Sequence, residues 1–410
     1  MRPHTLALLF GMLSSGMASA QIPVPGATAE SLLTLGRQLS PALRAAALDT
    51  EAAAARASGA DRLDDPTISD SYQYYKDPGV FSAHTVMVSQ SFPLWGKRSL
   101  RRQAALADVD ASRGRERAAQ DEQDERIKVA FAQYSLLTRS LAVNRDIAEL
   151  ARRMKGAASA RYGQGGGDQL AIIQGFGEET AAKTEAVRLE GARSAIKARL
   201  NALVGRPAGA DLAEPARPRP MPHAEPVLAT LIERARLGNA TLASSTAVIS
   251  AARTRANLAN KAWYPDVTLG AGPLIQTNNR PVGFAATVGL NIPLPWGRAA
   301  PGQQDAAAQL GASQQRYEAS RIEVDGALGE AVARLRAARA TQALLRREAA
   351  PQARAGFQAA LAGYGQGRGE LAAAITAQRQ VREVELRLLQ AQLDEQVEVA
   401  AIERLIGGDL

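Results

Sequence analysis

Tyr162-Gly163-Gln164-Gly165 returns 202 positions later as Tyr364-Gly365-Gln366-Gly367. Three more landmarks return with it in the same order. Phe92-Pro93-Leu94-Trp95-Gly96 is answered by Ile292-Pro293-Leu294-Pro295-Trp296-Gly297, its first proline 200 positions on. Pro66 is answered by Pro265, and Leu203-Val204-Gly205 by Leu405-Ile406-Gly407. One order at one spacing means that each half builds the same supersecondary unit.

Working outward from the first tyrosine defines the unit. Between Lys97 and Ala160 there is no proline, and glycine occurs only at Gly114 and Gly156. Such a stretch predicts a helix over about 97–160, roughly 64 residues and about 96 Å at 1.5 Å each. That exceeds any compact domain and points to a coiled-coil-like array. The Gly163–Gly167 run reverses the chain, and Asp168 can cap a helix over about 168–204.

Upstream, residues 67–75 are rich in strand formers (Ile68, Tyr72, Tyr74, Tyr75), Lys76-Asp77-Pro78-Gly79 is a turn, and a second strand covers about 80–92. Strands of this length suit a tilted membrane crossing. Residues 28–62, with Leu32, Leu35, Leu39, Leu43 and Ala46 in step, predict a helix stopped by Asp64-Asp65-Pro66. This first repeat spans 21–206. Prolines 207, 215, 218, 220, 222 and 226 mark a linker over 207–226. The second repeat, 227–410, carries a helix (227–262), strands (about 266–276 and 283–294) around Thr277–Pro281, a long helix (about 303–362), a turn at Gly363–Gly369 and a helix (about 370–406). Its second strand alternates Phe284, Ala286, Val288, Leu290, Ile292 and Leu294 against Thr287, Gly289 and Asn291.

Arg2, the apolar stretch Thr5–Met17 and Ala18-Ser19-Ala20 read as a signal peptide over 1–20, with a mature start at Gln21. No later run is apolar enough for a spanning helix, so the exported chain is soluble outside the cytoplasm or embedded through strands. The net charge is +8, but its 49 basic and 41 acidic residues alternate along helices, which describes a solvated surface and not a nucleic-acid partner. With no cysteine, a disulfide framework, a thiolate metal site and a lipid anchor on a first mature cysteine are all excluded; three histidines and six methionines give no dedicated metal ligation. There is no Gly-x-Ser-x-Gly and no His pair at metal spacing. Gly163–Gly167 lacks the Lys-Ser/Thr of a phosphate loop, so neither enzyme nor cofactor is expected.

The fold class that follows is mainly α with a transmembrane β-barrel contribution, built from a duplicated helix, hairpin, long helix, turn, helix unit. Four strands cannot close a barrel, and lipid tolerates no open edge. Two, three or more chains could share one. Across almost its whole mature length the sequence resembles the outer membrane factor (TolC-like) family of tripartite efflux and type I secretion. The resemblance is carried by the duplication, Gln90-Ser91-Phe92-Pro93-Leu94-Trp95-Gly96-Lys97-Arg98, both Tyr-x-x-Gly turns and Ala377-Gln378-Arg379. It implies a homotrimer with a twelve-stranded barrel in outer-membrane lipid and a periplasmic α-barrel tunnel. It also implies a periplasmic adaptor and an inner-membrane transporter, of the RND type, as partners. The Gln90–Arg98 stretch most resembles the heavy-metal-efflux branch, so metal cations are the first cargo; multidrug or type I export is the alternative, and an exported coiled-coil structural or adhesin protein the alternative of another class.

By the same resemblance the two turns (Gly163, Gln164, Gly165, Gly166 and Gly167; Gly365, Gln366, Gly367, Arg368 and Gly369) are adaptor-docking tips. Their glycines also suit any tight helix reversal. Tyr162, Tyr364, Asp168 and Glu370 are candidates for a periplasmic gate. Packing explains the tyrosines equally, and N-capping the two acids. Where relatives place an acidic ring this chain has Ala373 and Thr376. Trp95 and Trp296 are expected as membrane-interface anchors, Tyr72, Tyr74 and Tyr75 as an outer girdle, and His84 as a structural residue within a strand.

Overall fold

The computed structural model describes residues 24–74, 82–222, 224–276, 282–294 and 296–410. The signal peptide, Gln21, Tyr75 and both hairpin turns lie outside them. The first repeat runs α1 (Ala29–Leu39), α2 (Pro41–Gly59), β1 (Thr67–Gln73), β2 (Ala83–Phe92), α3 (Lys97–Gly163) and α4 (Gln169–Leu203). The second runs α5 (Leu228–Gly238), α6 (Ala240–Asn260), β3 (Asp266–Gln276), β4 (Gly283–Asn291), α7 (Ala299–Leu344), α8 (Ala350–Gly365) and α9 (Leu371–Ile406), with a π-helical turn, Leu345–Ala349, joining α7 to α8. At 67 residues α3 is about 100 Å long.

Proline corrects several expected boundaries. Residues 28–62 are two helices, because Pro41 lacks an N–H and Ser40 turns extended (φ −65°, ψ 119°). Residues 227–262 break too, without a proline, at Asn239 (φ −66°, ψ 118°), whose side chain caps α6 by accepting from the N–H of Leu242. The helix expected over 303–362 begins at Ala299 and widens at 345–349, where Pro351 removes a helical hydrogen bond and clashes with the preceding turn. α3 runs three residues past Ala160 because nothing breaks it before the glycine turn. β4 stops at Asn291, short of Leu294, since Pro293 cannot donate to a ladder.

The strands form one antiparallel sheet in the order β1-β2-β3-β4, two hairpins side by side. Register divides its residues. Ile68, Tyr72, Val88, Leu269, Val288 and Leu290 share one face, which is exposed, with Asp70, His84 and Gln90 as polar exceptions on it. Ser69, Ser71, Thr85, Ser89, Gly270, Thr287 and Gly289 share the other, with Met87 and Leu274 as apolar exceptions. This is the alternation of a barrel with lipid outside and water within.

Among the described residues four helical cores lie along the long helices, the smallest joining Ala53 and Ala57 of α2 to Val109 of α3. One packs Leu32, Ile127, Phe131, Leu200 and Val204. Its counterpart in the second repeat packs Leu231, Leu328, Val332, Ile402 and Ile406. A third, toward the tips, joins Ile147 and Met154 of α3 to Phe357, Leu371 and Ile375. Among its described residues the proline-rich linker holds no helix or strand but is not a loose tether: Leu212 is buried in the first core, Met221 packs on the second, and the Pro222 and Ala224 carbonyls accept from Arg339. Among the described residues no helix is long and apolar enough to cross a membrane.

Candidate functional site

Both turns close by the same hydrogen bonds. In the first, the N–H of Gly165 donates to the Tyr162 carbonyl (3.0 Å) and that of Gly166 to Arg161 (3.2 Å). In the second, the N–H of Gly367 donates to Tyr364 (3.1 Å) and that of Arg368 to Gly363 (2.9 Å). These are Schellman-type C-caps. Gly165 (φ 75°) and Gly367 (φ 77°) occupy the left-handed region, so glycine there is demanded by the backbone. Gly167 is demanded by space, since a Cβ would lie 2.6 Å from the Tyr162 nitrogen. Gly163, Gly166 and Gly365 have open space around them and ordinary φ.

The two tips lie together and are braced by Arg161. Its guanidinium donates to the carbonyls of Tyr364 (3.2 Å) and Gly369 (3.4 Å) and sits 5.0 Å from the Tyr364 ring. Tyr364 is therefore a core residue, 4% exposed, and its hydroxyl is buried without a partner among the described residues. Tyr162, its sequence equivalent, is 49% exposed. Asp168 caps α4 through the N–H of Leu170 (3.0 Å). Glu370 holds the same N-cap position on α9 without a side-chain bond to it. Asp168, Glu370, Arg161, Gly167, Tyr364 and Leu371 line a cleft of about 360 Å³ between the tips. Ala373 and Thr376 are exposed, and Thr376 bonds only its own helix, to Ala372.

Behind the first tip, Lys155 bonds Glu179 (2.6 Å) and lies 4.5 Å from the Phe176 ring. Lys155 and Lys183 together hold the Glu179 carboxyl at about 2. Sequence reasoning missed Arg161. Its signal is a difference between the copies, since the equivalent position of the second turn is Gly363.

At the other end of the long helices the tryptophans part company. Trp95 adopts a positive φ (60°), donates its indole N–H to the Pro265 carbonyl (2.8 Å) and packs on Tyr264 (5.3 Å between rings). Beside it, buried Lys97 bonds the Tyr264 carbonyl and the Asp266 carboxylate, both at 2.8 Å. Leu94 donates its N–H to the same carboxylate (3.2 Å). Trp296 is 83% exposed. Tyr72 and Tyr74 are exposed on the apolar face of the sheet. There His84 stacks on Tyr72 (4.6 Å) and faces the Asp70 carboxylate at 3.5 Å.

The profile of the family described as outer membrane efflux protein matches residues 32–206 and 231–408, one match per repeat. No curated protein sequence matches. Among solved structures, the outer membrane protein VceC of Vibrio cholerae superposes with a TM-score of 0.80 at 18% identity, covering 93% of this chain and 96% of that one. A membrane protein of Pseudomonas aeruginosa gives 0.80 at 20% identity, over 94% and 91%. CusC, described as forming a transmembrane channel, gives 0.78 at 15% identity, over 93% and 92%. At these identities the likeness concerns the fold.

Proposed function

The chain belongs to the outer membrane efflux protein family, and from that premise we propose that three copies close a twelve-stranded barrel in the outer membrane above a periplasmic helical tunnel. The protein is an efflux channel of the TolC type, a conduit and not an enzyme. What supports a barrel shared among copies is the sheet: four strands, both edges open, one face mainly apolar and the other mainly serine, threonine and glycine. An open edge in lipid leaves backbone groups unsatisfied, so closure by further copies is required, and twelve strands fall within the range of known barrels.

The tips are the surface for a periplasmic adaptor, which links the duct to an inner-membrane transporter of the RND type. Supporting this, Gly163, Gly166 and Gly365 are glycines that the turns themselves do not demand, so they leave bare backbone for a partner. The gate is the Arg161 brace on Tyr364, with Asp168 and Glu370 lining its cleft. Trp95 and Trp296, which follow the strands at the foot of the barrel, are the proposed anchors at the periplasmic interface of the outer membrane.

The first cargo proposed is heavy-metal cations, on the resemblance of Gln90–Arg98. Among the described residues no group of three His, Cys, Asp or Glu could hold a metal, so such ions would pass without being ligated. The test is twofold. Protein extracted from outer membranes should open conducting channels in planar bilayers, and a deletion strain should become sensitive to metal salts. Sensitivity to organic toxicants alone would move the duct to multidrug export, and no conductance from correctly folded protein would refute the channel.

A further inference from the structure

At the foot of the sheet one repeat clasps the other. Trp95-Gly96-Lys97, leaving β2, grip Tyr264-Pro265-Asp266, which lead into β3, through the indole-to-carbonyl bond and the pair of buried Lys97 with half-buried Asp266 described above. The duplication supplies a second set of both halves. Trp296-Gly297-Arg298 leave β4 as Trp95-Gly96-Lys97 leave β2, and Asp64-Asp65-Pro66 lead into β1 as Trp263-Tyr264-Pro265 lead into β3. Within the chain these second halves stand at opposite edges of the sheet, so they cannot meet. All six residues are exposed, and the side chains of Trp296, Arg298, Asp64 and Asp65 make no hydrogen bond or ion pair with another described residue.

We propose that Trp296-Gly297-Arg298 of one copy clasp Asp64-Asp65-Pro66 of a second copy, repeating across the subunit boundary the bond made inside the chain. The proposal rests on the shared-barrel reading above and specifies its contact. The charges fit: Lys97 becomes Arg298, and the carboxylate lost where Asp266 becomes Thr67 is replaced by the neighbouring Asp65, within the longer reach of arginine. The indole of Trp296 donates to the Pro66 carbonyl as Trp95 does to Pro265. The sheet fits too. Carrying the β2–β3 register (Phe92 opposite Val267, Ser91 opposite Thr268) across the boundary sets Ile292 opposite Ile68 and Asn291 opposite Ser69. Apolar residues then stay on the apolar face.

The chain has no cysteine, so engineered thiols report alone. Ser69→Cys with Asn291→Cys, oxidised in outer membranes, should give disulfide-linked copies; this reads the barrel. Arg298→Glu should lower the multimer surviving a fixed detergent challenge about tenfold, as loss of one partner of a desolvated ion pair does. Asp65→Arg combined with it should restore the multimer. A linked barrel that Arg298→Glu leaves unchanged overturns the clasp and spares the barrel. No disulfide in protein that reaches the membrane overturns both. Should the charge variants fail to export, Trp296→Cys with Pro66→Cys, bridged by a short bismaleimide, decides: linked copies support the clasp and monomers overturn it.

Discussion

Tyr162 and Tyr364 stand in the same four-residue motif, on the same turn, closed by the same hydrogen bonds, yet one is half exposed and the other is core. Ile173 and Ile375, 202 positions apart, differ more, at 58% and 7% exposed. At the far end Trp95 and Trp296 are both exposed, at 52% and 83%, and differ in that the Trp95 indole has a partner, the Pro265 carbonyl. Local structure is therefore a property of the repeated sequence, and burial a property of which neighbours the chain supplies. The second tip, made by α8 and α9, is flanked by α3 of its own chain; α4, β1 and β4 lie at edges. On the proposed assembly the more exposed member of each pair is covered by another copy, so the contrast maps the subunit boundary.

The largest test removes what both halves share. Where α3 crosses α6, a Cβ on Gly114 would lie 2.7 Å from Ser244 Cα, and Ser244 already bonds the Ala111 carbonyl (2.8 Å). Gly114→Val should cost about 3 kcal/mol and abolish folding at growth temperature, read as loss of the helical circular dichroism signal. Gln315, its counterpart in α7, is exposed. Gln315→Val should leave the fold intact and touch only assembly. Equal damage by the two would erase the distinction between repeats.

Next comes Arg161, present in one repeat only. Arg161→Ala removes two carbonyl bonds and a ring contact, worth about 1–3 kcal/mol to tip closure. It should raise single-channel conductance and speed amide exchange at 364–371; unchanged conductance would remove Arg161 from the gate. Smaller still, Tyr364→Phe discards a buried hydroxyl with no partner among the described residues and should stabilise by up to about 1 kcal/mol, while Tyr162→Phe is silent in thermal melts.

The smallest effects are in pH and have opposite signs. Glu179 is held at about 2 by Lys155 and Lys183. Its contribution is present above the ordinary glutamate range and lost as pH falls toward that value, so Glu179→Gln should lower the melting point at neutral pH and converge with the parent in strong acid. Burial raises Glu398, against the pull of Arg334. Its charge opposes folding once pH passes the ordinary range, so Glu398→Gln should raise the melting point at neutral pH by about a degree or two and not in acid. Equal pH slopes in the two variants would contradict these environments.

Much of this molecule is legible in its sequence. Duplication, hairpins, the unbroken α3 and the glycine reversals follow from spacing and from where proline is absent. The breaks at Ser40 and at the π turn are legible too, in Pro41 and Pro351, but the apolar periodicity running through them hides the punctuation. Asn239 breaks its helix with no proline beside it, and only the match to Ser40, 199 positions earlier, betrays it. The Arg161 brace and the Trp95–Lys97 clasp join residues far apart in the chain, and no local pattern announces them. They become visible when the copies are compared for their differences and not their likeness.

The most direct measurement is the mass of the intact assembly extracted from outer membranes in mild detergent, before and after heating. The expected species is three chains, which heat converts to one. Recovery as a single chain from the soluble periplasmic fraction would contradict it.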